Sequence, residues 1–167
     1  MRVILLAGYK PCTSDNCPWL EDENGKPRLE QRIREAQALS QNCIVVLAGE
    51  MADRALIKCP SLERCELVFD TNETQANLLT NLRAALALGD QPAIVLPAEM
   101  TFGDVTKLNQ LASVAVQHGH RAPFHMVQAD EQGFPLVLTT TGSQELIRNK
   151  TLQGLADPQL TRHVPCL

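Results

Sequence analysis

The amino-acid sequence predicts an α/β fold with a mostly parallel central sheet. Four short, mostly apolar runs lie at residues 3–7, 43–48, 66–69 and 93–96, and each stops directly before a glycine, an aspartate or a proline. Stretches with apolar residues three or four positions apart, which is the spacing of an amphipathic helix, alternate with these runs. Continuous apolar runs are typical of strands that are covered on both faces, so the alternation indicates a sheet between two helical layers.

Length and composition fit a single globular domain. The chain has 167 residues, of which 44% are hydrophobic and 20% are charged, and its formal net charge is -4. Without a basic cluster, a nucleic-acid partner is not expected. No apolar run approaches the roughly 18 residues that cross a bilayer, and the opening run is too short for a signal peptide. We therefore expect one domain over residues 1–167, located in the cytoplasm, with no membrane partner.

The first half of the chain alternates predicted strands and helices. The strand at residues 3–7 ends at Gly8, and residues 9–27 follow as a long loop without periodicity. A helix over residues 28–40 is indicated by apolar residues at helical spacing: Leu29, Ile33, Ala36 and Leu39. After the strand at 43–48, a short helix is expected at 50–57, because Pro60 prevents it from continuing. The third strand covers residues 66–69.

The next segment repeats this alternation. A helix is expected to begin at a cap on Thr71 or Asn72 and to run to Leu88. The strand at 93–96 lies between two prolines, and Asp104 is placed to cap a helix that ends near Gly119.

The pattern changes in the last third of the chain. Two strand-like segments, 124–128 and 135–139, flank a loop that contains Gly133, which predicts an antiparallel hairpin. A helix over 143–155 and a final strand at 161–166 complete the prediction. In a sheet of this kind a ligand binds at the carboxyl ends of the parallel strands, which here are Gly8, Gly49, Asp70 and Glu99.

Six cysteines are present: Cys12, Cys17, Cys43, Cys59, Cys65 and Cys166. In a cytoplasmic protein they are expected to be thiols. The spacings from Cys12 to Cys17 and from Cys59 to Cys65 are wider than those of usual zinc sites, so a metal role is not favoured. Only Cys12 and Cys17 lie in the opening loop.

Several segments resemble one known family. They are Leu6-Ala7-Gly8, Gly25-Lys26-Pro27-Arg28-Leu29-Glu30, Asp70, Leu96-Pro97-Ala98-Glu99-Met100-Thr101-Phe102 and Gly133-Phe134-Pro135-Leu136. Together with the order of elements, they make the chain similar to the molybdenum cofactor guanylyltransferase-like nucleotidyltransferases over nearly its whole length.

This resemblance implies a three-layer α/β/α Rossmann-like nucleotidyltransferase sandwich with a late β-hairpin. It further implies that Leu6, Ala7, Gly8, Lys26 and Asp70 bind the nucleotide. Glu99, together with Asp70, would be catalytic, and Glu99 would hold Mg²⁺. The implied reaction transfers a nucleoside monophosphate from a nucleoside triphosphate to a phosphorylated acceptor.

The sequence departs from the family pattern where the chemistry takes place. Tyr9 stands at the second glycine of the family's Gly-Gly pair, and Glu99 replaces its metal-binding aspartate. If Pro18-Trp19-Leu20 is the apolar segment that follows, Asn16-Cys17 stands at the family's Asp-Lys pair, and Lys10 or Lys26, which lie at other positions, are the alternative cations. Four of the predicted site residues also have a structural alternative, which for Glu99 is a solvated loop carboxylate. Asp70 would suit a helix N-terminus, Lys26 could be a solvated lysine, and Gly8 could mark only the strand exit.

Three functions therefore remain open. The first is an active nucleotidyltransferase that uses Mg²⁺. The second is a divergent relative that has lost or weakened transfer and retains at most nucleotide binding. The third is a protein-interaction scaffold, for example a homodimer. The loss of several groups that would contact phosphate favours weak activity, because each charge-assisted contact contributes on the order of 1.5–3 kcal/mol.

Overall fold

The computed structural model describes residues 1–8, 12–70, 78–118, 124–125 and 135–148. Its strands are β1 (Arg2–Ala7), β2 (Asp22–Glu23), β3 (Lys26–Pro27), β4 (Cys43–Ala48), β5 (Glu66–Asp70), β6 (Ala93–Pro97), β7 (Phe124–His125) and β8 (Leu136–Leu138). Its helices are α1 (Arg28–Leu39), α2 (Ala52–Lys58), α3 (Leu78–Leu86), α4 (Val105–His118) and α5 (Thr140–Arg148).

The main sheet has the strand order β5-β4-β1-β6-β8-β7. Strands β5, β4, β1 and β6 are parallel, and β8 runs antiparallel to both β6 and β7. The mostly parallel sheet and the late antiparallel pair confirm the predicted fold class. The loop of that hairpin lies outside the described residues.

Strand β1 is the centre of the core. It pairs with β4 on one side and β6 on the other, and each residue from Val3 to Ala7 has an exposure of 0%. The connection through α1 leads from β1 to β4, whereas the connection through α3 leads back from β5 to β6. Because such crossovers are right-handed, α1 and α3 cover opposite faces of the sheet. This arrangement produces the three predicted layers.

The prediction of an irregular opening loop was wrong for most of its length. A 3-10 turn forms at Pro18–Leu20, and β2 and β3 form a two-residue hairpin. The hairpin turn is Asn24-Gly25, with φ angles of 54° and 78°, as a type I′ turn requires. This pair of residues is a strong hairpin signal, which the sequence interpretation missed. Trp19 packs in the core at 3% exposure.

The other predicted elements differ from the structure mainly at their ends. The predicted helix at 50–57 is α2, and the helix predicted from residue 143 begins at Thr140. Asp104 caps α4 as expected, since its Oδ1 accepts a hydrogen bond from the N–H of Thr106 at 3.0 Å. The predicted cap at Thr71 or Asn72 and the strand at 161–166 lie outside the described residues.

The expectation of six thiols was also wrong. Cys12 and Cys17 form a disulfide, with a Cα–Cα distance of 4.9 Å, whereas Cys43, Cys59 and Cys65 are free. Their separation in the sequence gives no sign of this bond, which depends on the turn between them. Among the described helices, none has the length and apolarity of a membrane span.

Glu30 links α1 to the 3-10 turn at Pro60–Arg64, which precedes β5. This carboxylate is 2% exposed and accepts hydrogen bonds from the N–H and Oγ of Ser61, at 3.0 and 2.7 Å, and from Nε of Arg34 at 3.1 Å. Gly25 supplies the hairpin turn and Leu29 is fully buried in the core. The segment from Gly25 to Glu30, which fits the family pattern well, therefore has structural roles.

We expect Glu30→Ala to lower the free energy of unfolding by about 2–4 kcal/mol, because it leaves the Ser61 donors without a partner. Chemical denaturation measures this change. Glu63→Ala is the matched control, since Glu63 is an exposed carboxylate on the same turn, and it should change stability by less than about 0.5 kcal/mol. Equal effects of the two substitutions would contradict the role of Glu30.

Gly8 allows the end of β1 to approach the end of β4. Its φ is +112°, and a Cβ atom there would lie 2.7 Å from the carbonyl oxygen of Ala48 and 2.9 Å from its Cβ. Gly25 also has a positive φ, of +78°, but an added Cβ would have nothing within 4 Å. Both positions require a positive φ, but only Gly8 also has neighbours that an added Cβ would meet. Comparing substitutions at the two positions therefore distinguishes the cost of backbone conformation from the cost of close packing.

Gly8→Ala should destabilise the fold by about 2–4 kcal/mol, from backbone strain and overpacking together. Gly25→Ala should show only the conformational component, about 1–2 kcal/mol. Urea titration of both variants measures the difference. If Gly8→Ala were no worse than Gly25→Ala, the close approach to Ala48 would not constrain the fold.

Candidate functional site

The candidate site lies where the direction of strand connection reverses. From β1 the chain passes to β4 on one side, and β6 occupies the other side of β1. In open α/β sheets the crevice at this point, at the carboxyl ends of the strands, is where ligands bind. The N–H of Ala98 donates a hydrogen bond to the carbonyl of Leu6 at 2.9 Å, which holds the end of β6 beside the end of β1. Glu99 therefore follows directly at the exit of β1.

The predicted nucleotide-binding segment Leu6, Ala7 and Gly8 lies at this crevice. The side chains of Leu6 and Ala7 are fully buried in the core, so only their backbone is available to a ligand. The backbone of Gly8 packs against Ala48. Gly8 thus has a structural reason to be glycine that is independent of phosphate.

Glu99 is the predicted residue best placed for chemistry. It lies in the turn after β6 and is partly exposed, while Pro97 and Ala98 before it are buried. A partly exposed carboxylate at the carboxyl end of a central parallel strand can reach a ligand in the crevice. Because Ala98 is hydrogen-bonded to β1, the backbone that carries Glu99 is fixed by the sheet.

Asp70 is placed apart from Glu99. It ends β5, which is three strand intervals from β6, so the two residues are separated by roughly 14 Å at a strand spacing of about 4.8 Å. Asp70 is 8% exposed, and its Oδ2 accepts a hydrogen bond of 2.6 Å from Nδ2 of Asn81 on α3. The structure therefore does not bring Asp70 and Glu99 together around one metal ion.

Asn81 is a residue that the sequence interpretation missed. It is fully buried, and its Oδ1 has no hydrogen-bond partner among the described residues. It lies four residues before the fully buried Ala85 on α3, and so on the buried side of that helix. A buried polar residue within the apolar face of a predicted helix was the signal available in the sequence.

Lys26 belongs to a different element from the other predicted site residues. It is exposed on β3, and its neighbour across the hairpin is Glu23. Its position is set by the Asn24-Gly25 turn and not by the sheet that carries Gly8 and Glu99.

The donor set fits Mg²⁺ only in the presence of phosphate. Among the described residues no group of three His, Cys, Asp or Glu side chains could hold a metal ion. Mg²⁺ is commonly bound through one or two carboxylates, together with water and substrate phosphate oxygens. Glu99 can supply one such carboxylate, and the remaining ligands would come from the substrate and from solvent.

A cavity of about 420 Å³ lies between the β2–β3 hairpin, α1 and residues 101–105, which follow the turn that carries Glu99. Arg32 lines it, is 3% exposed, and pairs with Glu23 at 2.5 Å and Glu35 at 2.7 Å. Two carboxylates thus compensate the charge of the guanidinium. This cavity has a volume suited to a small molecule but is not built for a phosphate group.

A second cavity, of about 150 Å³, lies on the β4 side, between the opening segment and α2. Its charged lining residues are Asp15, Glu21, Arg54 and Lys58, and the sulfur-bearing residue Cys17 also lines it. Arg54 and Lys58 are four residues apart on α2 and so lie on one face of that helix.

The free cysteines form no metal site with the other described residues. Burial and the nearby Glu30 carboxylate raise the pKa of Cys59 to about 12. A hydrogen bond between the thiols of Cys43 and Cys65 raises the pKa of Cys43 and lowers that of Cys65. Nε2 of Gln37 also donates a hydrogen bond of 3.7 Å to Sγ of Cys65. Cys65 is partly exposed, so it is the more reactive thiol of the three.

Comparison with protein-family models and with curated proteins finds no match. Solved structures do match. The molybdopterin-guanine dinucleotide biosynthesis protein A of Archaeoglobus fulgidus aligns with a TM-score of 0.69 at 17% identity, over 99% of this chain and 84% of its own. The Mycobacterium tuberculosis protein Rv0371c, solved in complex with manganese, aligns with a TM-score of 0.68 at 17% identity, over 97% and 85%.

A third similar structure is 4-diphosphocytidyl-2C-methyl-D-erythritol synthase, with a TM-score of 0.59 at 14% identity, over 97% of this chain and 88% of that one. At such low identities the likeness is one of fold. The chain thus has the nucleotidyltransferase-like fold that these structures share, as the resemblance in its sequence implied.

Proposed function

We propose that this protein is a single-domain, divergent nucleotidyltransferase that binds a nucleoside triphosphate weakly and in a Mg²⁺-dependent manner at the β1–β6 crevice. The observation that carries the proposal is the hydrogen bond between Ala98 and Leu6, which fixes Glu99 at the exit of β1. A carboxylate at this point of an α/β sheet is suited to a metal ion bridging to phosphate oxygens.

The site has few groups that would strengthen phosphate binding. Asn16-Cys17 stands where the resemblance implies a lysine, and Cys17 is 7% exposed and bonded to Cys12. Neither residue can supply a cation there. Loss of a charge-assisted contact lowers affinity by on the order of 1.5–3 kcal/mol, about 10- to 150-fold. Weak binding and weak transfer follow from this.

GTP is the nucleotide to test first, and molybdenum cofactor biosynthesis is the pathway in which a role should be tested first. Both come from the family resemblance and from the name of the Archaeoglobus fulgidus protein. In the proposed reaction, a phosphorylated acceptor attacks the α-phosphate and pyrophosphate leaves. The protein would position the two substrates, and Glu99 would hold the Mg²⁺ that neutralises phosphate charge.

One observation favours nucleotide binding without transfer as the second candidate. A phosphorylated acceptor needs cationic partners, and in the cavity between the β2–β3 hairpin, α1 and residues 101–105 the guanidinium of Arg32 is already paired with Glu23 and Glu35. An acceptor phosphate would have to displace a carboxylate from Arg32.

A homodimeric scaffold is the other alternative, because β5 is an edge strand of the sheet and its Phe69 is 51% exposed. Sedimentation of the wild type and of Phe69→Lys separates this from a monomer. The cytoplasmic location predicted from the sequence also remains a proposal, which cell fractionation would test.

We expect GTP with Mg²⁺ to bind with a Kd in the micromolar range or weaker, and Glu99→Ala to reduce the metal-dependent affinity by at least about tenfold, as loss of one charged ligand implies. Calorimetry with GTP, CTP, ATP and UTP, each with and without Mg²⁺, measures this. Ligand at 100 times its Kd should raise stability by about 2.7 kcal/mol in thermal unfolding.

Glu63→Gln, which alters an exposed carboxylate outside the crevice, is the control and should bind like the wild type. Sub-micromolar affinity for any single nucleotide, or unchanged binding in Glu99→Ala, would overturn the proposal. Binding without pyrophosphate release in the presence of phosphorylated acceptors would favour the second candidate.

A further inference from the structure

The two sulfurs of the Cys12–Cys17 disulfide have different surroundings. Cys12 is partly exposed, whereas Cys17 is 7% exposed and lines the 150 Å³ cavity on the β4 side. Because Cys12 is the more exposed of the two residues, we expect a soluble thiol to reach its sulfur more readily. Attack on that sulfur makes Cys17 the leaving group.

The cavity favours a negative charge on Cys17. Two cations, Arg54 and Lys58, line it together with Asp15 and Glu21. Glu21 is paired with Arg28 at 3.4 Å, so the remaining balance is two cations against Asp15. Nearby Lys and Arg side chains stabilise a thiolate, and a thiol of lower pKa leaves faster in disulfide exchange.

The segment between the cysteines keeps them close without the disulfide. The N–H of Thr13 donates to the carbonyl of Asn16 at 3.1 Å, and the N–H of Asn16 donates to the carbonyl of Thr13 at 3.2 Å. This pair of hydrogen bonds closes the turn by itself. The released Cys17 thiolate would stay within reach of Cys12, so that the ring can close again.

We propose that Cys12–Cys17 is a site of reversible thiol–disulfide exchange with a low-molecular-weight monothiol, with Cys12 as the entry sulfur and Cys17 as the leaving sulfur. The thiolate of the monothiol forms a bond to Sγ of Cys12, and the electron pair of the broken S–S bond leaves on Sγ of Cys17. The product is a mixed disulfide on Cys12. Attack by Cys17 on Sγ of Cys12 re-forms the protein disulfide and expels the monothiol. Alternatively, a second monothiol attacks the sulfur of the bound monothiol, which frees Cys12 as a thiolate and releases the two monothiols joined by a disulfide bond.

The turn that follows Cys17 is anchored in the core. Pro18–Leu20 follows Cys17 directly, and the carbonyl of Cys17 accepts hydrogen bonds from the N–H groups of Leu20 and Glu21, at 2.9 and 3.1 Å. The buried side chains of Trp19 and Leu20 then hold this turn in the core. Because this turn is anchored in the core, we expect Cys17 to stay in its cavity after the disulfide is reduced.

The test uses glutathione as the monothiol and a Cys166→Ser chain. After brief exposure, free thiols are alkylated, and cleavage before Asp15 separates Cys12 from Cys17 for mass spectrometry. We expect glutathione on Cys12 and the alkyl group on Cys17. Glutathione mainly on Cys17, or no exchange at millimolar glutathione, would overturn the proposal.

Separate variants test the role of the cations that line the cavity. The double substitution Arg54→Gln/Lys58→Gln should slow exchange several-fold, because the leaving thiolate of Cys17 loses both nearby cations. Arg64→Gln, an exposed arginine outside this cavity, is the matched control and should exchange at the wild-type rate. All three side chains are exposed, so the fold is retained, and thermal unfolding verifies this. A double variant as fast as the wild type would refute a role for the cavity cations.

Discussion

The pairing of β1 with a parallel strand on each side is the constraint on which the rest of the structure depends. Because both neighbours hydrogen-bond to it and helices cover both faces, every side chain from Val3 to Ala7 is excluded from water. Burial of these and the other core side chains is the main favourable contribution to the fold, at about 25 cal/mol per Å² of apolar surface. The same pairing aligns the carboxyl ends of β4, β1 and β6. Gly8, Gly49 and Glu99 thus reach one edge of the sheet as a consequence of core packing.

The sheet could be predicted from the sequence because each central strand is a continuous apolar run with a clear end. The run at 43–48 coincides with β4, and the helix predicted at 28–40 differs from α1 by one residue. The opening segment was harder, because its order does not come from periodicity. It is held by a disulfide, by the Asn24-Gly25 turn and by the burial of Trp19. Only the turn has a local sequence signal.

The candidate site could be predicted only in part, for a related reason. The sequence places Glu99 after a strand, and the strand order then brings it to the central crevice. Asp70 also follows a strand, but sequence alone does not reveal that β5 is three intervals from β6 or that Asn81 engages its carboxylate. Which carboxylates share a site depends on strand order and on side-chain contacts between elements. Both are tertiary properties.

Residues that match the family pattern and residues that depart from it have different physical roles in this structure. Gly25 and Glu30 are needed by the fold itself, for a positive φ and for the Ser61 hydrogen bonds, and they match the family pattern. The position of the implied phosphate-binding lysine instead holds Asn16-Cys17. There the N–H of Asn16 is hydrogen-bonded to Thr13 and the sulfur of Cys17 is bonded to Cys12. Because these groups are engaged with one another, this segment supplies internal cross-links to the fold. The shared fold, together with the lack of a cation at Asn16-Cys17, is the physical basis for the proposal of metal-dependent, low-affinity nucleotide binding.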